Sequence, residues 1–275
     1  MTASTNRADP RPDETTPTHP LPPSLELEWR GAVAVLRLNR AAKRNALDTA
    51  TVTGLEQFVS VPPAAARAVV LDARGDHFSA GLDLSELTER DAFAGLAHSR
   101  MWHRSFERIE HGTLPVITVL KGAVVGGGLE LAASTHIRVA EASTFYALPE
   151  GQHGLFVGGG GSVRIPRLIG AHRMADMMLT GRFVDAEEGH RLGLSHYLTG
   201  NGEGLARAIE LAEKVATNSA VTNFAVLQAL PRIAEANPDT GLLLESLMAA
   251  VAGSSEQAQT RMRAFLDGRG GKVQR

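Results

Sequence analysis

A triple glycine followed by a glutamate, in Lys121-Gly-Ala-Val-Val-Gly126-Gly127-Gly128-Leu-Glu130-Leu-Ala, constrains this chain more than any other segment. No side chain there blocks approach to the backbone. If the glycines open a helix, its first amides have no partners inside that helix. They also carry the positive end of the helix dipole. An amide so placed stabilises negative charge on a bound oxygen, and Glu130 falls on the first helical turn beside it. Taken alone, the run has a second reading: three glycines let a helix pack closely against a sheet.

Two further segments decide between these readings. Phe78-Ser-Ala-Gly-Leu-Asp83 lies upstream, after a strand and a turn, and can supply a second amide to the same oxygen. By itself it is an ordinary strand-to-helix loop. Paired amides matter because removing one such donor typically costs about 10²–10³ in rate. Downstream, Glu150 follows Pro149 and precedes the glycine run Gly158 to Gly161. Proline restricts its neighbour and stiffens the loop that holds the carboxylate. Two carboxylates in one dry cleft push their pKa values apart, which suits one to act as acid and the other as base. A single Glu is normally a surface charge. Three such segments in this order point instead to a reaction centre.

The chain has 275 residues, enough for one large domain or two small ones. It has no cysteine, which excludes disulfides, thiol nucleophiles and thiolate metal sites. Net charge is −2, and no Lys/Arg cluster marks a nucleic-acid or membrane face. No apolar run approaches the roughly 18 residues of a membrane span. Residues 1–23 are rich in Thr and Pro and poor in large apolar side chains. They are expected to form a disordered tail. That tail lacks the apolar stretch of a secretory signal, and Asp9, Asp13 and Glu14 do not fit a transit peptide. The expectation is a cytoplasmic protein.

Periodicity predicts a β-hairpin from 25–29 and 32–38 around Gly31, then a helix capped by Asp48 and running to about Val59. Strands follow at 68–71, 115–120, 137–140, 144–146 and 195–198. Helices are expected over 91–110 and from Gly126–Gly128 to about Ser134, and the chain is mostly helical after Ser162. Alternating strands and helices indicate an α/β core with partly parallel strands over residues 24–200. Residues 201–275 read as a helical region.

The ordered motifs resemble the crotonase, or enoyl-CoA hydratase/isomerase, superfamily. The resemblance covers about residues 25–270. It rests on Leu38-Asn-Arg-Ala-Ala-Lys-Arg-Asn45-Ala-Leu47, Phe78-Ser-Ala-Gly-Leu-Asp83, Gly126-Gly-Gly-Leu-Glu130-Leu-Ala, Pro149-Glu150, Pro166-Arg-Leu-Ile-Gly170 and the C-terminal Met262-Arg-Ala-Phe265-Leu. It implies a spiral of ββα units, a C-terminal helical trimerisation region and a coenzyme A thioester as substrate, with no cofactor and no metal. It implies oxyanion amides at Leu82 and Gly127, and catalytic roles for Glu130 and Glu150. Lys43, Arg44, Ala46, Leu47, Ala80 and Asp83 would lie along the coenzyme A path. Both glutamates together favour hydration of a 2-enoyl-CoA. The alternatives within the family are an isomerase, a carbon–carbon lyase or a thioester hydrolase, and outside catalysis an RNA-binding homologue. The implied assembly is a homotrimer or a dimer of trimers, with apolar helix faces around 242–250 buried.

Three positions depart from the family pattern. Lys121 stands where Asn is usual, His136 where Asp is usual, and Phe156-Val157-Gly158-Gly-Gly-Gly161 replaces a run with Pro and Ala. Among other polar residues, His153 reads as a loop histidine. His98, His103 and His111 do not have metal-site spacing. Trp102 and Phe106 read as a packed stripe, and Arg164 and Arg167 as structural pairing residues. Arg269 and Lys272 are either a solvated tail or contacts to a coenzyme A phosphate.

Overall fold

The computed structural model describes residues 11–86 and 91–268. The expected hairpin is β1 (Leu25–Arg30) and β2 (Val33–Leu38), antiparallel, with Leu25 opposite Leu38. Parallel strands β3 (Ala68–Ala73), β4 (Val116–Leu120), β6 (Ile137–Glu141) and β9 (Tyr197–Thr199) extend it into one sheet of order β1-β2-β3-β4-β6-β9. A second sheet holds β5 (Ala123–Val125), β7 (Phe145–Ala147) and β8 (Val184–Asp185) in the order β5-β7-β8.

The chain alternates between these sheets. It leaves β4 for β5, and β6 for β7, before entering a helix. Isolated bridges Leu47↔Leu82 and Ser79↔Val124 carry the earlier loops along the same layer. This is the expected spiral of ββα turns. β5 and β8 are strands beyond those expected from the sequence.

The helices before the C-terminal unit are α1 (Pro12–Thr15), α2 (Thr49–Ser60), α3 (Ala92–Glu110), α4 (Gly127–Ala133), α5 (Gly161–Ile169), α6 (Ala171–Thr180), α7 (Ala186–Leu192) and α8 (Gly204–Ala216). Asp48 caps α2 by accepting the Thr51 amide at 2.8 Å, and Asp91 caps α3 through Ala94 at 2.8 Å. The large sheet is buried on both faces, and successive residues alternate between them. Val33, Val35, Ala68, Val70, Ile117 and Val119 pack on Ala208, Leu211 and Ala212 of α8. Leu36, Leu38, Val69 and Leu71 face the other cluster, with Val52, Leu55 and Phe58 of α2 and Phe106 of α3.

Two expected boundaries change. The compact unit containing the sheets runs to Ala216, not to residue 200, because α8 covers the Val33/Val35 face. The expected tail is ordered from residue 11. The Glu14 carbonyl accepts the Ala65 amide at 3.0 Å, Leu21 packs on the core, and Pro22 lies against Gly54 of α2. Its first ten residues lie outside the described residues, as do Arg269 and Lys272.

The second unit begins at Thr217. It contains α9 (Ala220–Phe224), a wider turn over Ala225–Ala229, α10 (Leu230–Glu235), α11 (Pro238–Ser254) and α12 (Glu256–Leu266). Asn237 caps α11 by accepting the Thr240 amide at 3.0 Å. Among the described residues no helix is long and apolar enough to cross a membrane.

Candidate active site

The expected oxyanion segments meet at the start of α4. Gly126 has φ +51° and gives its amide to Ala147 at 2.9 Å. Gly127 then opens α4, where a helical amide has no partner inside the helix. A Cβ on Gly127 would lie 3.4 Å from the Leu82 nitrogen, so the two amides are neighbours. The flanking amides are engaged: Gly81 N–H donates to Ser79 Oγ at 3.1 Å and Asp83 N–H to the Leu47 carbonyl at 2.9 Å. Among the described residues the Leu82 amide donates to no protein group.

The loop carrying Leu82 is pinned by charge. Asp83 is buried and accepts from Ser85 Oγ at 2.7 Å, Arg40 at 2.6 Å and Lys43 at 3.0 Å. These donors hold its carboxyl well below the usual carboxylate range. Arg40 also reaches Asp48 at 3.1 Å and the Ala46 carbonyl at 2.6 Å. Asn45, left-handed at φ +54°, accepts the Arg40 amide and donates to the Arg74 and His77 carbonyls. Of the residues expected along the coenzyme A path, Lys43, Arg44 and Ala46 thus lie on this braced loop, and Ala80 lines the cavity. Leu47 is fully buried and reaches the site only through its backbone, and the Asp83 carboxylate is occupied by ion pairs. Arg40 and Asn45 belong to the 38–47 motif, but their bracing role carries no local signal, since Arg40 and its partner Asp83 are 43 positions apart.

Glu130 lies on α4 and is almost fully buried. Its Oε1 accepts the amides of Gly159 and Gly161, each at 2.8 Å. A Cβ on Gly161 would fall 2.8 Å from Glu130 Cγ, so the glycine run gives the carboxylate its place. Burial pushes Glu130 above its ordinary pKa, while the two amides and the Arg164 charge act against the rise. Glu150 stands on a 3-10 turn, Pro149–His153, opposite Gly126. A Cβ on Gly126 would lie 2.6 Å from Glu150 Oε1. Burial, then the nearby Glu130, push Glu150 up to about 7.

Both carboxylates, Leu82 and Gly127 line one cavity of about 480 Å³. Its remaining wall includes Trp102, Ser99, Phe156 and Val157. Trp102 packs edge-on to Phe106, with ring centroids 5.4 Å apart, and its indole lies against Gly127. The stripe on α3 is therefore both core and cavity wall. His153 lines the mouth and is exposed. The departures have visible places. Lys121 pairs with Asp72 at 3.3 Å. His136 Nδ1 accepts the Val116 amide at 3.0 Å, leaving Nε2–H to donate to the Glu110 carbonyl at 3.0 Å. Among the described residues no three His, Asp or Glu side chains form a metal-binding group.

Residues 28–272 match the enoyl-CoA hydratase/isomerase family. The chain belongs to that family. A short-chain-enoyl-CoA hydratase of Clostridium acetobutylicum is 31% identical over 246 residues, 88% of this chain and 94% of that protein. A 2,3-dehydroadipyl-CoA hydratase of Escherichia coli is 32% identical over 244 residues, 86% of this chain and 93% of its own. Among solved structures, a Rhodopseudomonas palustris protein described as a candidate enoyl-CoA hydratase is 60% identical, with a TM-score of 0.87 over 90% of this chain and 95% of that one. That solved structure shares the architecture described above.

Proposed function

We propose that this protein is an enoyl-CoA hydratase that adds water syn across the double bond of a 2-enoyl-CoA. The observation that carries this is the convergence on one cavity of two unlike carboxyl groups and two neighbouring amides. The Leu82 and Gly127 amides receive the thioester oxygen, on which charge develops as the β-carbon is attacked. Glu130, whose Oε1 is fixed by two amides, is the base that takes a proton from water. The hydroxide oxygen bonds to the β-carbon. Glu150, which holds a proton up to about pH 7, delivers it to the α-carbon. One proton is thus held between the two groups before and after addition, and it returns from Glu130 to Glu150 to reset the site. The conjugated thioester is itself the electron sink, so this chemistry calls for no cofactor. Coenzyme A would follow the Lys43–Leu47 stretch and Ala80, supplying binding energy remote from the reacting carbons.

The test is a panel of 2-enoyl-CoA and 3-enoyl-CoA thioesters scored by product. Consumption of the conjugated thioester with appearance of the 3-hydroxyacyl-CoA supports the reading. Double-bond migration without water uptake would replace it with an isomerase.

We also propose a homotrimer or a dimer of trimers. Leu242, Leu243, Leu247 and Val251 on α11 are each more than half exposed in the single chain, an apolar face that assembly would bury. Light scattering showing a monomer at micromolar concentration would remove this assignment.

A further inference from the structure

We propose that Arg164, held by Glu110, is a positioning residue that fixes the peptide presenting two amides to Glu130. The proposal rests on the hydratase reading, in which Glu130 is the base. Arg164 lies on α5, and only about a tenth of its side chain is exposed. Its Nε donates to Glu110 Oε2 at 2.6 Å. Its Nη1 donates to the Gly159 carbonyl at 3.1 Å. The amide of that same residue, Gly159, donates to Glu130 Oε1. The guanidinium also presses on Gly160, at φ +98°, where a Cβ would be 2.3 Å from Nη1. The loop Gly159–Gly161 has no side chain of its own to hold it, so its orientation depends on what binds its carbonyls. Arg164 supplies that bond, and Glu110 aims Arg164.

The brace reaches further. The Glu110 carbonyl accepts Nε2–H of His136, whose Nδ1 takes the Val116 amide. The line therefore runs from β4 and the end of α3, through one ion pair, to the carboxylate in the cavity. The charged or titratable groups facing Glu130 are Arg164 on α5 and Glu150 on the 3-10 turn. Those facing Arg164 are Glu110 and His103 on α3. A planar fork is required here, because one group must meet a carboxylate and a carbonyl at once. Lysine keeps the charge and loses the fork.

The experiment compares Arg164→Met, Arg164→Lys and Glu110→Gln with the parent, first on hydration of a 2-enoyl-CoA. In Arg164→Met we expect kcat to fall about 10²-fold, the scale of a misplaced reacting group. KM should stay within about threefold, since the oxyanion amides are untouched. The acidic limb of the rate profile should move upward, because the cation that favours ionised Glu130 is gone. Arg164→Lys should restore the limb but not kcat, and Glu110→Gln should lower kcat with a smaller shift. Infrared titration of the Glu130 carboxyl, identified by subtraction of Glu130→Gln, reads the same shift without turnover. A parent with no hydration would sink the hydratase reading while the infrared result still decides the positioning role. If Arg164→Met melts like the parent and keeps its kcat, limb and carboxyl band, the proposal is overturned. If that variant does not fold, the lysine and glutamine variants decide it: parental kcat in both overturns it.

Discussion

Glu130 and Glu150 face one cavity from walls of different construction. Glu130 comes from a buried helix, and the glycine run beside it donates two amides to one oxygen. Glu150 comes from a short 3-10 turn and is less buried, and its Oε2 has no hydrogen-bond partner among the described residues. Donors favour an ionised carboxyl, and burial without them favours a protonated one. The donated amides suit the first carboxyl to act as the base, although burial still raises it, and the unpartnered oxygen of the second suits it to act as the acid. The division of labour comes from backbone around the glutamates, not from the glutamates themselves.

Removing either carboxyl is the broadest test of that contrast. Glu130→Gln and Glu150→Gln should each keep affinity for a coenzyme A thioester and lose about 10²–10⁴ in kcat. Calorimetric binding beside hydration rates checks this. Equal, parental rates in both variants would dissolve the contrast altogether.

A finer test moves Glu130 without changing it. Gly161→Ala places a methyl 2.8 Å from Glu130 Cγ, so the carboxylate must leave its amides. A loss of about 10²-fold in kcat is expected, with little change in melting temperature, because alanine is at home in a helix. An unchanged kcat would mean that the amide pair is packing rather than positioning.

The acid is tested by pH. If Glu150 must be protonated, kcat/KM falls as pH rises past about 7, and Glu150→Gln lacks that limb. Stability carries the same signature. The folded pKa is raised above the ordinary 4.5, so the stability Glu150 contributes is complete below 4.5 and is lost as pH rises through about 7. Melting curves of the parent should therefore decline across that window more than those of Glu150→Gln. Identical pH dependence in the two would show that Glu150 ionises at its ordinary value.

The legibility of this molecule in its sequence follows range of interaction. The hairpin, the cap Asp48, the helix expected over 91–110 and the glycines at 126–128 are local signals, and each appears in the structure close to where periodicity and capping place it. Glu130, Glu150, Leu82 and Gly127 were assembled only through ordered motifs and family resemblance. The supports were hidden. Arg40 on Asp83, Arg164 on Glu110 and His136 on the Glu110 carbonyl join residues 43, 54 and 26 positions apart, and no short pattern records them. The arm at residues 11–22 was misread for a related reason. Its composition is that of a solvated chain, yet a few contacts suffice where Gly54 leaves room for Pro22.

That arm gives the smallest expected effect, since it reaches the cavity walls only through α2. The α2 end meets them where Thr49 donates its amide to Glu86, at 2.9 Å, just after the Leu82 loop. Deleting residues 1–10 should change nothing. Deleting 1–22 removes Leu21 from the core edge and Pro22 from Gly54, together with the Glu14–Ala65 bond. Partial burial of two apolar side chains stabilises by roughly 1–2 kcal/mol. For a chain of this size that is a fall of about 2–8 °C in melting temperature. Turnover at 25 °C should stay within about threefold of the parent, because neither wall loses a contact of its own. Thermal melts and kcat/KM on both truncations measure this. Equal melting temperatures would return the whole arm to the solvated tail its composition describes. A large loss of turnover with a parental melt would instead make the arm part of the site, and the contrast between the two walls would then have to include it.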